Sequence, residues 1–152
     1  MRDTSNPTRG GPAPGVLSPL DAALRQVGDR WTLLLVEALL DGPRRFGELL
    51  EALDGLAPNI LSKRLKALGQ GGLVTAVPYS QRPYRAAYAL TASGAELAGA
   101  LRLLAQWGAG RDATVGGALL HGTCGTPLDA RWWCPTCSRP VEEGEAADLD
   151  YV

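Results

Sequence analysis

The chain has 152 residues, with 15 Lys and Arg against 16 Asp and Glu, a 45% hydrophobic composition, three cysteines and one histidine. That length fits one globular domain with appendages, no stretch approaches the ~18–20 apolar residues of a membrane span, and three cysteines are too few for a disulfide framework. A Ser/His/Asp catalytic set would have to use the single histidine, and no phosphate-cradling glycine loop follows a strand, so an enzyme is not expected.

Residues 1–16 are rich in Pro, Gly, Ser and Thr and lack an apolar signal-peptide core, which predicts a disordered lead-in on a cytoplasmic protein. Ser18-Pro19-Leu20-Asp21 then opens a helix: a hydroxyl N-cap, proline at the first helical position and an acid in the first turn. It runs through DAALRQV to Gly28. Asp29 can cap the next helix, WTLLLVEALLDG, which is apolar nearly all round and belongs at the centre of a core. Phe46, Leu49, Leu50 and Leu53 give helical spacing to FGELLEAL, and Ala57-Pro58 opens NILSKRLKALGQGG, which ends at a glycine pair.

Two β-rich runs follow, LVTAVPY and YRAAYAL, joined by Ser80-Gln81-Arg82-Pro83, and they read as a hairpin. TASGAELAGALRLLAQWG predicts one long helix, capped by Thr91 or by the pair Ser93 and Glu96. The expected organisation is a mainly α fold with a small β-hairpin (α+β): a winged helix-turn-helix over 17–108, a linker over 109–120, a small ribbon over 121–141 and an acidic tail over 142–152.

Charge is unevenly placed. Between residues 43 and 90 there are seven cations (Arg44, Arg45, Lys63, Arg64, Lys66, Arg82, Arg85) against Glu48, Glu51 and Asp54. After Cys137 five acids stand against Arg139. A basic middle in a slightly acidic chain suggests a polyanion partner. In the fourth helix Leu61, Leu65 and Leu68 form the buried stripe, while Asn59, Ser62, Lys63 and Lys66 share another face with Arg64 at its flank. Such a helix fits the major groove of double-stranded DNA, where Asn and Ser bond base edges and Lys or Arg reach guanine or phosphate. Gln81, Arg82 and Arg85 at the hairpin are the corresponding wing contacts.

The segments GDRWTLLL (28–35), GPRRFGEL (42–49), LSKRLKAL (61–68), GLV (72–74) and YALT (88–91) together resemble the HxlR-type winged helix-turn-helix transcriptional regulators, over roughly residues 18–108. The resemblance implies a dimeric regulator of duplex DNA with residues 58–70 as recognition helix and 73–90 as wing. Two positions depart from the family pattern. Ser18 stands where the family usually has a cysteine before the proline, and it cannot form a thiolate. Ala57 replaces a Ser or Thr cap, at a typical cost of ~1 kcal/mol of local helix stability.

The last helix presents Leu97, Ala100, Leu101, Leu104 and Trp107, an apolar arc wider than one small domain needs to bury, and Leu20, Ala23 and Leu24 of the first helix are the expected partner surface. A two-fold homodimer would read a pseudo-palindromic operator with half-site centres ~10 base pairs apart. Separately, His121 and Cys124, then Cys134 and Cys137, form two pairs, each with a two-residue gap, and use every cysteine and the only histidine. That spacing suits a structural zinc ion (Zn2+) in a ribbon-like extension. A deaminase would need a Glu two residues after the histidine, where Thr123 stands, and an open coordination position. The competing reading is a protein-interaction module in which ribbon and acidic tail dock a partner.

Overall fold

The computed structural model describes residues 17–112, 114–142 and 144–145. The lead-in of residues 1–16, expected to be disordered, and most of the acidic tail lie outside the described residues. Helix α1 spans Pro19–Val27, and the Ser18 hydroxyl accepts a hydrogen bond from the Asp21 amide at 3.0 Å, as its N-cap spacing predicts. Helix α2 spans Arg30–Leu39 behind the Asp29 cap, whose Oδ1 accepts from the amides of Trp31 and Thr32 at 3.1 and 3.2 Å. A two-residue strand β1, Arg44–Arg45, leads directly into α3, Phe46–Ala52, and α4 follows over Pro58–Gln70. The wing is β2, Val74–Gln81, and β3, Tyr84–Leu90.

Helix α2 is central because its apolar side chains find partners: Leu35 and Val36 are fully buried, and Leu39 nearly so. Leu49 of α3, Leu61, Leu65 and Leu68 of α4, and Leu73 and Val74 entering the wing complete one core. The leucine stripe of α4 is thus docked as its spacing implied, which offsets the missing side-chain cap at Ala57. Strand β3 is the middle strand of a three-stranded antiparallel sheet in the order β1-β3-β2, with Arg44 opposite Tyr88 and Val74 opposite Leu90. The β1 pairing was not expected from the sequence. It ties the start of α3 to the base of the wing.

The predicted single C-terminal helix is two: α5, Ala92–Ala95, and α6, Leu97–Ala109. Thr91 is the cap, its hydroxyl accepting from the Gly94 amide at 3.1 Å and donating to the Gly72 carbonyl at 2.6 Å. Gly94 packs so closely on the Leu73 carbonyl that a Cβ there would collide with it. That contact seats the short first turn on the wing before α6 departs, although Glu96 between them keeps right-handed helical torsions (φ −60°, ψ −24°). No helix among the described residues is long and apolar enough to cross a membrane. Beyond α6 the chain forms a second, two-stranded sheet, β4 (Trp133–Cys134) with β5 (Arg139–Pro140), and an isolated antiparallel bridge between Leu120 and Pro127.

Candidate nucleic-acid interface

Burying one stripe of α4 forces the opposite face outward. Asn59, Ser62, Lys63 and Lys66 are all exposed, and neither lysine pairs with any described acid. Asn59 Oδ1 accepts from the Ile60 amide at 2.9 Å, which leaves its side-chain NH2 group free to donate. The wing carries Gln81, Arg82 and Arg85 exposed at and beside its tip, where the Ser80 hydroxyl donates to the Pro83 carbonyl at 2.9 Å and holds the turn. Between α3, α4 and the wing lies an open groove of about 700 Å³ whose walls include Arg45, Glu51, Ser62, Tyr79, Tyr84 and Arg85.

Arg64 does not belong to this exposed row. Its Nη2 donates to Asp29 Oδ2 at 2.9 Å, 35 residues away in sequence, and its Nε is buried. The reason is its phase: it sits one residue before Leu65, on the flank that faces α2 rather than solvent. One carboxylate therefore caps α2 and clamps α4 against it. Conversely, Arg45 and Tyr79 were not singled out from the sequence. Arg45 lies 4.7 Å over the Tyr79 ring at the groove mouth, a cation–π contact that fixes a cation between helix and wing. The only sequence signal was its place in the Arg44-Arg45 pair, and Tyr79 became its neighbour through the fold.

A helix α3, a short connection and an outward-facing cationic helix α4, flanked by a β-hairpin, are the parts of a winged helix-turn-helix. Residues 26–113 match the family of HxlR-like helix-turn-helix proteins. The chain belongs to that family. It is 41% identical over 122 residues to the HTH-type transcriptional regulator Rv3095 of Mycobacterium tuberculosis, a match covering 78% of this chain and 77% of the relative. Among solved structures it resembles one described as a transcription factor, PA1374 of Pseudomonas aeruginosa (34% identity, TM-score 0.63, 84% of this chain and 88% of that one). It also resembles PA1607, likewise described as a transcription factor (30% identity, TM-score 0.70, 84% and 91%). This HxlR-like protein is a DNA-binding transcriptional regulator and not an enzyme.

The residues expected at a dimer interface divide into two groups. Leu97 and Leu101 are half-buried against the protein's own core, whereas Ala100 is exposed and Leu104 and Trp107 are 52% and 61% exposed. On α1, Leu20 and Leu24 are 63% and 51% exposed and Ala23 is also on the surface. Trp107 carries Arg111 over its ring at 5.2 Å.

The four expected metal ligands form two separate pairs. His121 Nδ1 lies 3.2 Å from Cys124 Sγ, and the Cys137 amide donates to Cys134 Sγ at 3.5 Å. Among the described residues no three His, Cys, Asp or Glu side chains converge closely enough to hold a metal. Hydrogen bonding with the Thr126 hydroxyl, 3.3 Å away, lowers the Cys124 thiol from its ordinary pKa. The Cys137 amide lowers Cys134, while the hydrogen bond to Cys134 raises Cys137. Neither Trp132 nor Trp133 is buried; Trp132 lines a shallow groove with Leu103 and Gln106 of α6.

Proposed function

We propose that this regulator acts in the cytoplasm as a homodimer on a pseudo-palindromic operator, with α4 in the major groove and the β2–β3 wing against the phosphate backbone. The observation that carries this reading is the unpaired cationic face of α4 over its buried leucines, opening onto the same groove as Arg85 and Arg45. Asn59 and Ser62 read base edges, while Lys63, Lys66, Arg82 and Arg85 neutralise phosphates and Gln81 steadies the wing tip. Arg64 holds the helix in place and makes no base contact. The exposed leucines of α1 with Leu104 and Trp107 of α6 form the two-fold contact, which sets the half-sites ~10 base pairs apart.

Selection of bound fragments from genomic DNA identifies the operator, and the Lys63→Ala/Lys66→Ala double variant tests the face. Each lost phosphate contact lowers the slope of log K against log salt by ~0.9, so the double variant should lose ~1.8. Ser62→Ala and Asn59→Ala should relax base preference with little change in slope. Unchanged operator affinity of the double variant at every salt concentration refutes the assignment of this face.

A further inference from the structure

Among the described residues the C-terminal extension has defined turns but no apolar core beneath them. Every residue from 114 to 133 is exposed, including Leu119, Leu120, Leu128, Trp132 and Trp133, so no apolar core stabilises the backbone pairing between Leu120 and Pro127 or between β4 and β5. Segments of this size without a core need a cross-link or a metal. The present pairing gains only a rim of polar contacts. Arg139 grips Glu145 with two hydrogen bonds of 2.6 and 2.7 Å, and Gln106 reaches the Leu128 carbonyl at 3.5 Å.

The two turns are built alike. Each begins with a donor (His121, Cys134), has two residues between donors, and ends with a cysteine (Cys124, Cys137). In each the next residue is left-handed: Gly125 at φ 69° and, unusually for a residue with a side chain, Ser138 at φ 51°. A backbone amide closes each turn onto its first residue, though onto different acceptors: Gly125 donates to the His121 carbonyl at 2.7 Å and Cys137 to the Cys134 sulfur at 3.5 Å. A sulfur that accepts an amide hydrogen bond is held in one direction, as a thiolate ligand must be. Antiparallel pairs close both turns, Leu120 with Pro127 and Cys134 with Arg139.

From this repetition we infer that the two turns are half-sites for one zinc ion, held by His121, Cys124, Cys134 and Cys137. Each turn is a preformed two-donor chelate, and two such chelates fill a tetrahedral shell with no position left for water, so the metal is structural. The nine residues between Cys124 and Cys134 allow the halves to close on the ion, which binds the closed form alone and thereby stabilises it. Binding releases the thiol protons to solvent, and no electron is transferred. The four donors lie in sequence beyond α6, and metal content and thiol reactivity are read without DNA.

The test uses the full chain, purified without chelator and without a histidine tag. Mass spectrometry should find about one zinc per chain. The three thiols should resist a thiol reagent until a strong chelator is added, and chelation should change the emission of Trp132 and Trp133. Cobalt in place of zinc should give the intense visible absorption of a tetrahedral thiolate site. Cys124→Ala and Cys134→Ala should each lose the metal while circular dichroism and operator binding show the winged helix intact. Three outcomes overturn the inference: less than about a tenth of a zinc per chain with thiol reactivity indifferent to chelator; full zinc retention by the His121→Ala/Cys124→Ala double variant; or a Cys134–Cys137 disulfide in the freshly purified protein.

Discussion

The clamp between Asp29 and Arg64 can be tested quantitatively by replacing Asp29 with Ala and, separately, with Asn. In Asp29→Ala the α2 amides of Trp31 and Thr32 lose their common acceptor, at a cost of about 1 kcal/mol typical of a lost N-cap. The same change removes the 2.9 Å ion pair with Arg64. A charge-assisted bond is worth ~1.5–3 kcal/mol when buried, but the two side chains are 35% and 31% exposed, so screening reduces it to about 1 kcal/mol. Asp29→Ala should therefore cost about 2 kcal/mol, and Asp29→Asn, which keeps the capping oxygen but not the charge, about 1 kcal/mol. For a domain of this size 1 kcal/mol moves Tm by roughly 4–8 °C. Thermal unfolding followed by circular dichroism should show a drop of about 8–16 °C for Asp29→Ala and about half that for Asp29→Asn. Arg64→Met should destabilise about as much as Asp29→Asn, and the pair should be non-additive in a double-mutant cycle. Its salt slope for DNA should match that of the unmodified protein. The clamp is refuted if both Asp29 variants unfold within a degree or two of the parent, or if Arg64→Met lowers the salt slope by about 0.9 with unchanged Tm.

Other perturbations address separate parts of the fold. Gly94→Ala places a methyl group against the Leu73 carbonyl and should cost about 1–3 kcal/mol, read as a fall in the denaturant midpoint; a neutral result would mean that α5 is free to move off the wing. If the proposed dimer forms, Leu104→Asp with Trp107→Asp should turn it into a folded monomer in light scattering, with weaker operator binding, because both side chains contribute exposed apolar area and little to the subunit core. A parent protein that is already monomeric at micromolar concentration, with and without DNA, would remove the two-fold arrangement from consideration.

Much of the architecture was legible in the residues because its causes are local. Ser18 and Asp29 reach amides two or three positions ahead, and the spacing of Leu61, Leu65 and Leu68 needs only the helical repeat to define a buried stripe. The turn at residues 80–83 joins two strands that pair with each other, so the wing was also visible in the chain. The exposed positions of Asn59, Ser62, Lys63 and Lys66 followed from the same phase argument. The pairs His121/Cys124 and Cys134/Cys137 could be named from spacing alone, since a two-residue gap is a property of one turn; that they hold one metal is our proposal.

What the tertiary structure decided lies in contacts between distant parts of the chain. The pairing of Arg44 and Arg45 with β3 depends on where α3 begins relative to the wing, and no period in a two-residue segment encodes it. The charge of Arg64 was legible, but its pairing with Asp29 rests on how α4 crosses α2. The close approach of Gly94 to the Leu73 carbonyl, 21 residues back in sequence, also depends on how the C-terminal run is seated on the wing. Likewise, Leu97 and Leu101 are alike in sequence to Leu104, yet only the first two pack against the core, while Leu104 is 52% exposed. Hydrogen bonds and periodicity within a turn are set by neighbouring residues; which faces meet is set by packing the whole chain at once.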